Sequence, residues 1–380
     1  MHTALGSPNV TGRSVGRVET QSVRLYTEDE PLVLESGATI GPIDVAYETY
    51  GVLDERGSNA VVVCHALTGD AHAAGHHGDP LVTGWWEAMI GPGRPVDTER
   101  FFVVSSNLLG GCKGTTGPSS VEPRTGKPYG LRFPHFSVGA LVAVQRRLVR
   151  HLGIERLHGA MGGSLGGMQV LQWAVTHPGE LRNAVLVGVA PRLSAQNIAL
   201  SAVARASILQ DEHFQGGDYY GTGRKPEVGL AVARMLAHIT YLSEEALERK
   251  FGRRRRNGSD PTFDIDFEVE SYLRHQGEKF LERFDANSYL YLSRVLDYFD
   301  PLADEGAALD LLRGNDARFL VLSFDTDWRF PTSQALELVA TLERAGCDVR
   351  FKEIGSPWGH DSFLLAVPEY LERVAAFLAG

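Results

Sequence analysis

The sequence predicts an α/β fold whose mostly parallel central sheet is covered by helices on both faces. Three observations predict it: short, nearly unbroken apolar runs bounded by glycine or polar turns, helical patterns lying between those runs, and a hydrophobic content of 43%. Strands buried on both faces read as continuous apolar runs, whereas half-exposed strands alternate. The runs are Ala60–Cys64, Phe101–Ser105, Leu157–Met161, Ala184–Val189, Phe319–Ser323 and Val349–Ile354. Ahead of them lie a polar tail over residues 1–20 and two β-like stretches, Val23–Tyr26 and Ile43–Tyr50, the second alternating through Val45, Tyr47 and Thr49. In Val138–Leu152, six apolar residues (Val138, Leu141, Val142, Leu148, Val149 and Leu152) form one stripe at helical spacing. From about Ser194 to Asp300 the pattern is wholly helical, clearest in Leu230–Phe251 and Phe267–Phe284. So long a helical stretch between two sheet strands predicts a cap inserted over the strand ends. The expected plan is a core of residues 21–193 and 301–380 with a cap of residues 194–300.

Composition excludes several classes of function. The 37 Lys+Arg against 47 Asp+Glu leave a formal charge of −10, so no net positive field draws nucleic acid. Cys64, Cys112 and Cys347 are odd in number and lack metal-ligand spacing, which argues against a disulfide framework and a zinc site. Leu157–Gly179 carries no charge over 23 residues, but its six glycines, two histidines and internal turn do not fit a membrane span. The first residues lack the apolar run of a signal peptide, and a cytoplasmic protein is expected. The Arg253–Arg256 run, in RRRRNGSDP, reads first as an exposed loop and second as a phosphate grip for a nucleotide-bearing cosubstrate.

The chemistry centres on Gly162-Gly163-Ser164-Leu165-Gly166, a G-x-S-x-G pattern between an apolar run and the amphipathic Met168–Val175. Strand, sharp turn and helix form the context of a nucleophile elbow. A serine at the tip of so tight a turn needs small neighbours, and the helix that follows points backbone N–H groups at the site. Serine is a weak nucleophile without a base, and the base needs an orienting acid. In elbow folds the chain order is serine, acid, histidine. Downstream of Ser164, His177 sits in the elbow helix before Pro178, and His213, His238 and His275 fall in the cap. His360, in SPWGHDSF after the last predicted strand, stands where the base belongs. Asp325 and Asp327, in FDTDWRFP, both follow the preceding strand, and spacing leaves either as the acid.

NAVVVCHALTGDAH (59–72), SSNLLGGCKGTTGPSS (105–120), GGSLGGMQ (162–169), RFDANSYL (283–290), DTDWRFP (325–331) and GHDSF (359–363) together make the chain, from about residue 22 onward, resemble the homoserine O-acetyltransferases of the α/β-hydrolase fold. The resemblance implies an acetyl group carried from acetyl-CoA to the side-chain hydroxyl of L-homoserine, in methionine synthesis, through a serine acyl-enzyme. It assigns Ser164 as nucleophile, Asp327 as triad acid and His360 as base. Arg234 and Asp361 match the positions that hold the amino-acid substrate, and the backbone N–H groups of Leu67 and Leu165 match the oxyanion hole. It implies a homodimer associating through the cap, with no metal or organic cofactor and with acetyl-CoA as cosubstrate. Succinyl as acyl group, serine as acceptor, or hydrolysis by the same triad are the rival readings, the HALTGDAH stretch favouring the acetyl type. From a different class, His65, His72, His76, His77, Asp70 and Asp79 cluster in sequence as in a metal-binding module, though they fit no trusted metal signature.

Overall fold

Eight of the strands in the computed structural model, which describes residues 12–256 and 260–380, join in one sheet. They are β1 (Gln21–Tyr26), β2 (Ile43–Tyr50), β3 (Ala60–Cys64), β4 (Phe102–Ser106), β5 (Gly159–Gly163), β6 (Asn183–Val187), β7 (Arg318–Phe324) and β8 (Asp348–Ile354). Their spatial order is β1-β2-β4-β3-β5-β6-β7-β8. The β1–β2 and β2–β4 pairs are antiparallel, and all later pairs are parallel.

Strand periodicity divides the interior between two cores. Ala60, Val62 and Cys64 of β3, with Phe319 and Val321 of β7, face the core closed by α1 (Val138–His151), α2 (Leu165–Thr176) and α9 (Thr332–Arg344). The alternate residues Val61, Val63, Leu320, Leu322 and Phe324 face a second core, filled by Trp86, Met89 and α10 (Pro368–Ala379). Both faces being dry explains why these strands show no polar alternation.

Between β6 and β7 the chain runs through α3 (Ala195–Leu209), α4 (Glu227–Tyr241), α5 (Glu244–Lys250), α6 (Glu268–Leu281) and α7 (Ala286–Asp297), then α8 (Glu305–Leu312). The single helix expected over Leu230–Phe251 is two helices. Ser243 ends the first and caps α5, its Oγ accepting from the Ala246 amide at 2.9 Å, which a serine does far better outside a helix than within it. The strand expected from Leu157 begins at Gly159, Leu157 making only an isolated bridge with Leu181. The uncharged Leu157–Gly179 stretch is β5, the elbow and α2. No helix among the described residues is long and apolar enough to cross a membrane.

Of the polar tail expected over residues 1–20, residues 1–11 lie outside the described residues, and residues 12–20 are mostly exposed but pinned at a few points. His76 N donates to Gly16 O at 3.0 Å, Val18 N donates to His76 O at 3.1 Å, and Val15 and Val18 lie against the second core. Two valines and a few backbone bonds suffice to hold this strap, a signal too sparse for periodicity to register.

Candidate active site

Ser164 links β5 to α2 with φ 57° and ψ −126°, a strained backbone that persists only where the surroundings enforce it. The glycines around it show what enforces it. A Cβ on Gly162 would lie 2.3 Å from the carbonyl carbon of Gly166, and one on Gly166 would lie 2.0 Å from Cys64 O. Gly166 thus lets the start of α2 press on the end of β3. We expect Gly166→Ala to be destabilised by about 1–3 kcal/mol, as overpacked sites are, and to lose activity with it. Thermal melts and rate measurements check this, and an unchanged melting temperature contradicts it.

The same crowding sets the His360 turn beside the turn of Ser164. A Cβ on Gly163 would fall 2.3 Å from the ring of Phe363, which shares a 3₁₀ turn (Gly359–Leu364) with His360. Ser164 N donates to Val187 O at 3.0 Å. The next residue, Gly188, is so close to the pair that its Cβ would stand 3.5 Å from His360 Nδ1 and from Asp327 Oδ2. His360 is buried, and its Nδ1 pairs with Asp327 Oδ2 at 2.7 Å. With Nδ1 carrying that proton, Nε2 is the acceptor nitrogen. Asp327 Oδ1 accepts the amides of Arg329 at 3.0 Å and Phe330 at 2.9 Å, so its carboxylate is anchored on both oxygens. Asp325 turns away, exposed, and accepts from Ser356 N at 2.9 Å. Of the two acids, it is Asp327, the one the resemblance assigns, that pairs with His360.

The cap is fastened to the loops that carry this pair. Trp328 Nε1 donates to Leu242 O at 3.0 Å, Arg329 Nη1 to Thr240 Oγ1 at 2.7 Å, and Ser243 Oγ to Pro357 O. Gly359 is held at φ 64°, where a Cβ would meet Ser243 N at 2.7 Å. The α4–α5 break therefore rests directly on the loops of Asp327 and His360.

Leu67 lies in the loop after β3. Among the described residues its amide has no hydrogen-bond acceptor, and Leu165, first residue of α2, has the orphan N–H of a helix start. Arg234 projects inward from α4, its guanidinium 4.8 Å from the Phe280 ring centroid and its Nη1 3.3 Å from Thr68 Oγ1. Asp361 is half-buried beside His360. Its charge acts on the cap: burial pushes the Tyr272 hydroxyl up to about 12, and Asp361 adds to the shift. Sequence reasoning gave no role to Arg283, half-buried in the RFDANSYL segment, which donates to Thr68 O at 2.9 Å. Burial, then the neighbouring Arg234, lowers its pKa. Nor did it single out Glu48. The available signal was an acid between Tyr47 and Tyr50 in the strand Ile43–Tyr50.

Other candidate groups are accounted for locally. Burial pushes the Cys64 thiol up to about 12 and Cys112 up to about 11, so neither is a nucleophile at neutral pH. Of the histidine–aspartate cluster, His72 and His77 meet on Glu48, which was not part of it, while His65 turns its Nδ1 to Ala66 O at 2.7 Å. In the arginine run, Arg256 donates to Ser271 and Arg254 to Lys250 O; residues 257–259 of the run's NGS segment lie outside the described residues.

A family model described as the alpha/beta hydrolase fold matches residues 59–367. The chain is 57% identical over 366 residues to a homoserine O-succinyltransferase of a Nocardioides species, covering 96% of this chain and 99% of that one. It is 51% identical over 363 residues to a homoserine O-acetyltransferase of Rhodospirillum rubrum, covering 95% and 93%. Among solved structures, homoserine O-acetyltransferase from Bacillus anthracis superposes with a TM-score of 0.86 at 27% identity, over 96% of this chain and 98% of that one.

Proposed function

The chain belongs to the homoserine O-acyltransferases of the α/β-hydrolase fold, and on that footing we propose that it moves an acyl group from acyl-CoA to the side-chain hydroxyl of L-homoserine through an acyl-Ser164 intermediate. The observation that carries the reading is the buried His360–Asp327 pair against the strained turn of Ser164. His360 takes the Ser164 proton as the hydroxyl attacks the thioester carbonyl. The oxyanion is met by the amides of Leu67 and Leu165; losing one such donor typically costs ~10²–10³ in rate. The thiolate of CoA leaves with the proton that His360 returns. Homoserine then enters, His360 accepts its hydroxyl proton, and the oxygen attacks the acyl-enzyme to release the ester and restore Ser164. Every step uses side chains and backbone alone.

Arg234 pairs with the carboxylate of homoserine and Asp361 with its ammonium, which fixes the hydroxyl over the acyl carbon. Gripping both ends of a zwitterion gives this acceptor a positional advantage that water lacks, and so favours transfer over hydrolysis. Arg234→Ala is expected to raise the homoserine KM about 100-fold, the scale of truncating one partner of a desolvated charge pair, with the acylation half-reaction intact. Stopped-flow acylation beside steady-state kinetics separates the two; equal losses in both half-reactions contradict the assignment.

The acyl group proposed is acetyl, supported by the likeness of the His65–His72 stretch to the acetyl type. Relatives of similar identity carry both acyl names, so succinyl is the second reading. Competition between acetyl-CoA and succinyl-CoA, read by the mass of the acyl-enzyme, decides between them. The reaction's place is methionine synthesis in the cytoplasm, where its substrates are found. Outward apolar side chains on α3 and α4, among them Val203, Val228 and Val232, support a homodimer through the cap, which light scattering reads. The test of the whole is intact mass spectrometry. The protein gains one acyl group from acyl-CoA and loses it on adding homoserine, and thiol release that proceeds equally without homoserine shows a hydrolase instead.

A further inference from the structure

Glu48 stands outside the triad in the middle of β2, with 0% of its surface exposed. Its two oxygens take four donors from separate stretches of chain. They are Thr20 Oγ1 at 2.8 Å, Tyr50 Oη at 2.8 Å, His72 Nδ1 at 3.0 Å and His77 Nε2 at 2.8 Å. A carboxylate offers about four lone-pair positions, so this one is saturated by N–H and O–H donors and has none to spare for a cation. Burial alone would push its pKa up; the hydrogen bonds from His72, Thr20, Tyr50 and His77 outweigh that and hold it below the ordinary value. Hydrogen bonds to an ionised buried acceptor are short and strong, so the four donors are held stiffly.

Tyr50 extends the grip. Having given its proton to Glu48, its oxygen accepts the amides of Ala73 at 2.9 Å and Ala74 at 3.2 Å. His72, Ala73 and Ala74 form the far end of the loop that leaves β3 at Cys64. The near end is held by Gln169, whose Nε2 donates to His65 O at 3.2 Å, and the middle by Arg283 and Arg234 on Thr68. Leu67 lies between the first and second of these anchors. Free the far end, and the peptide plane of Leu67 can turn about the remaining two.

We propose that Glu48, acting through Tyr50 and His72, is a positioning residue that aims the Leu67 amide at the oxyanion formed on acylation. The inference rests on the acyl-Ser164 reading above. It also gives the N-terminal strap a purpose, because Thr20 closes the carboxylate from the solvent side.

The experiment compares the parent with Glu48→Gln and Tyr50→Phe in the full chain. It reads kcat, both KM values, the thermal midpoint, and the affinity for phenylboronic acid, whose tetrahedral serine adduct needs the same amides. Expected is a fall in kcat of about 10- to 100-fold, short of the ~10²–10³ of deleting an oxyanion donor outright, with homoserine KM held. Boronate affinity falls by the same factor. Folded variants with parent-like kcat and boronate affinity overturn the inference, and so does a fall in kcat with boronate affinity unchanged. Should Glu48→Gln not fold, Tyr50→Phe carries the test, since it keeps the charge, frees the 73–74 amides and takes one of four donors from Glu48. A parent that transfers no acyl group sinks the functional reading instead, while boronate affinity still reports whether Glu48 aims the loop.

Discussion

Ser164→Ala gains no mass on mixing with acyl-CoA, and its transfer rate falls by about 10⁴-fold or more, toward the residue of rate enhancement that binding and backbone donors supply alone. The size of the effect follows from what replaces the serine. Alanine keeps the turn at φ 57° and keeps the orphan amides of Leu67 and Leu165, so the pocket still binds and polarises the thioester. It has no oxygen to form the acyl bond, and direct attack by homoserine would have to cross a gap sized for the Oγ. The substitution removes one buried oxygen from a residue 9% exposed, so the fold is kept and circular dichroism should match the parent. A variant that still acylates, or still transfers at the parent rate, overturns the double-displacement scheme.

Asp327→Asn lowers kcat by about 10⁴-fold, the scale seen when a triad acid is made neutral and the imidazole loses its tautomer and its counter-charge. Asparagine can still accept the amides of Arg329 and Phe330 through its carbonyl oxygen. Its NH₂ then faces Nδ1 and forces the proton onto Nε2, the nitrogen that must accept from the serine. Asp325→Asn is the control. It sits on the same turn but bonds only Ser356 N, so its loss costs about 1 kcal/mol of stability at most and leaves kcat near the parent. Equal losses in the two variants, or a larger one in Asp325→Asn, refute the assignment of the acid.

These two acids also mark how far the sequence could be read. The strands were legible because burial on both faces writes itself into the chain as runs such as Ala60–Cys64 and Ala184–Val189, and the elbow because its glycines answer contacts that no Cβ survives. The preference for Asp327 over Asp325 rested on the resemblance, because the amides of Arg329 and Phe330 that turn its carboxylate inward leave no mark in the spacing. Arg234 reads as a surface residue on an amphipathic helix until the cap is folded and Phe280 is found beneath it. Glu48 depends on two segments, at Thr20 and at His72–His77, converging on its strand, and pairwise spacing along the chain carries no trace of that. The split of Leu230–Phe251 was written in Ser243, yet a stripe of apolar residues on either side concealed it.

The insertion of the cap ahead of β7 has a consequence for the order in which the enzyme comes into being on the ribosome. A nascent chain that has reached α7 already holds β3, β5 and β6, and with them the elbow and its amides. The imidazole and its carboxylate arrive only with β7 and β8, and β7 has nowhere to dock except beside β6, where Val187 pairs with Leu322. Until β7 has paired with β6 and β8 with β7, neither Asp327 nor His360 stands beside Ser164. The order of synthesis therefore brings the Ser164 turn together before the His360–Asp327 pair that packs beside it.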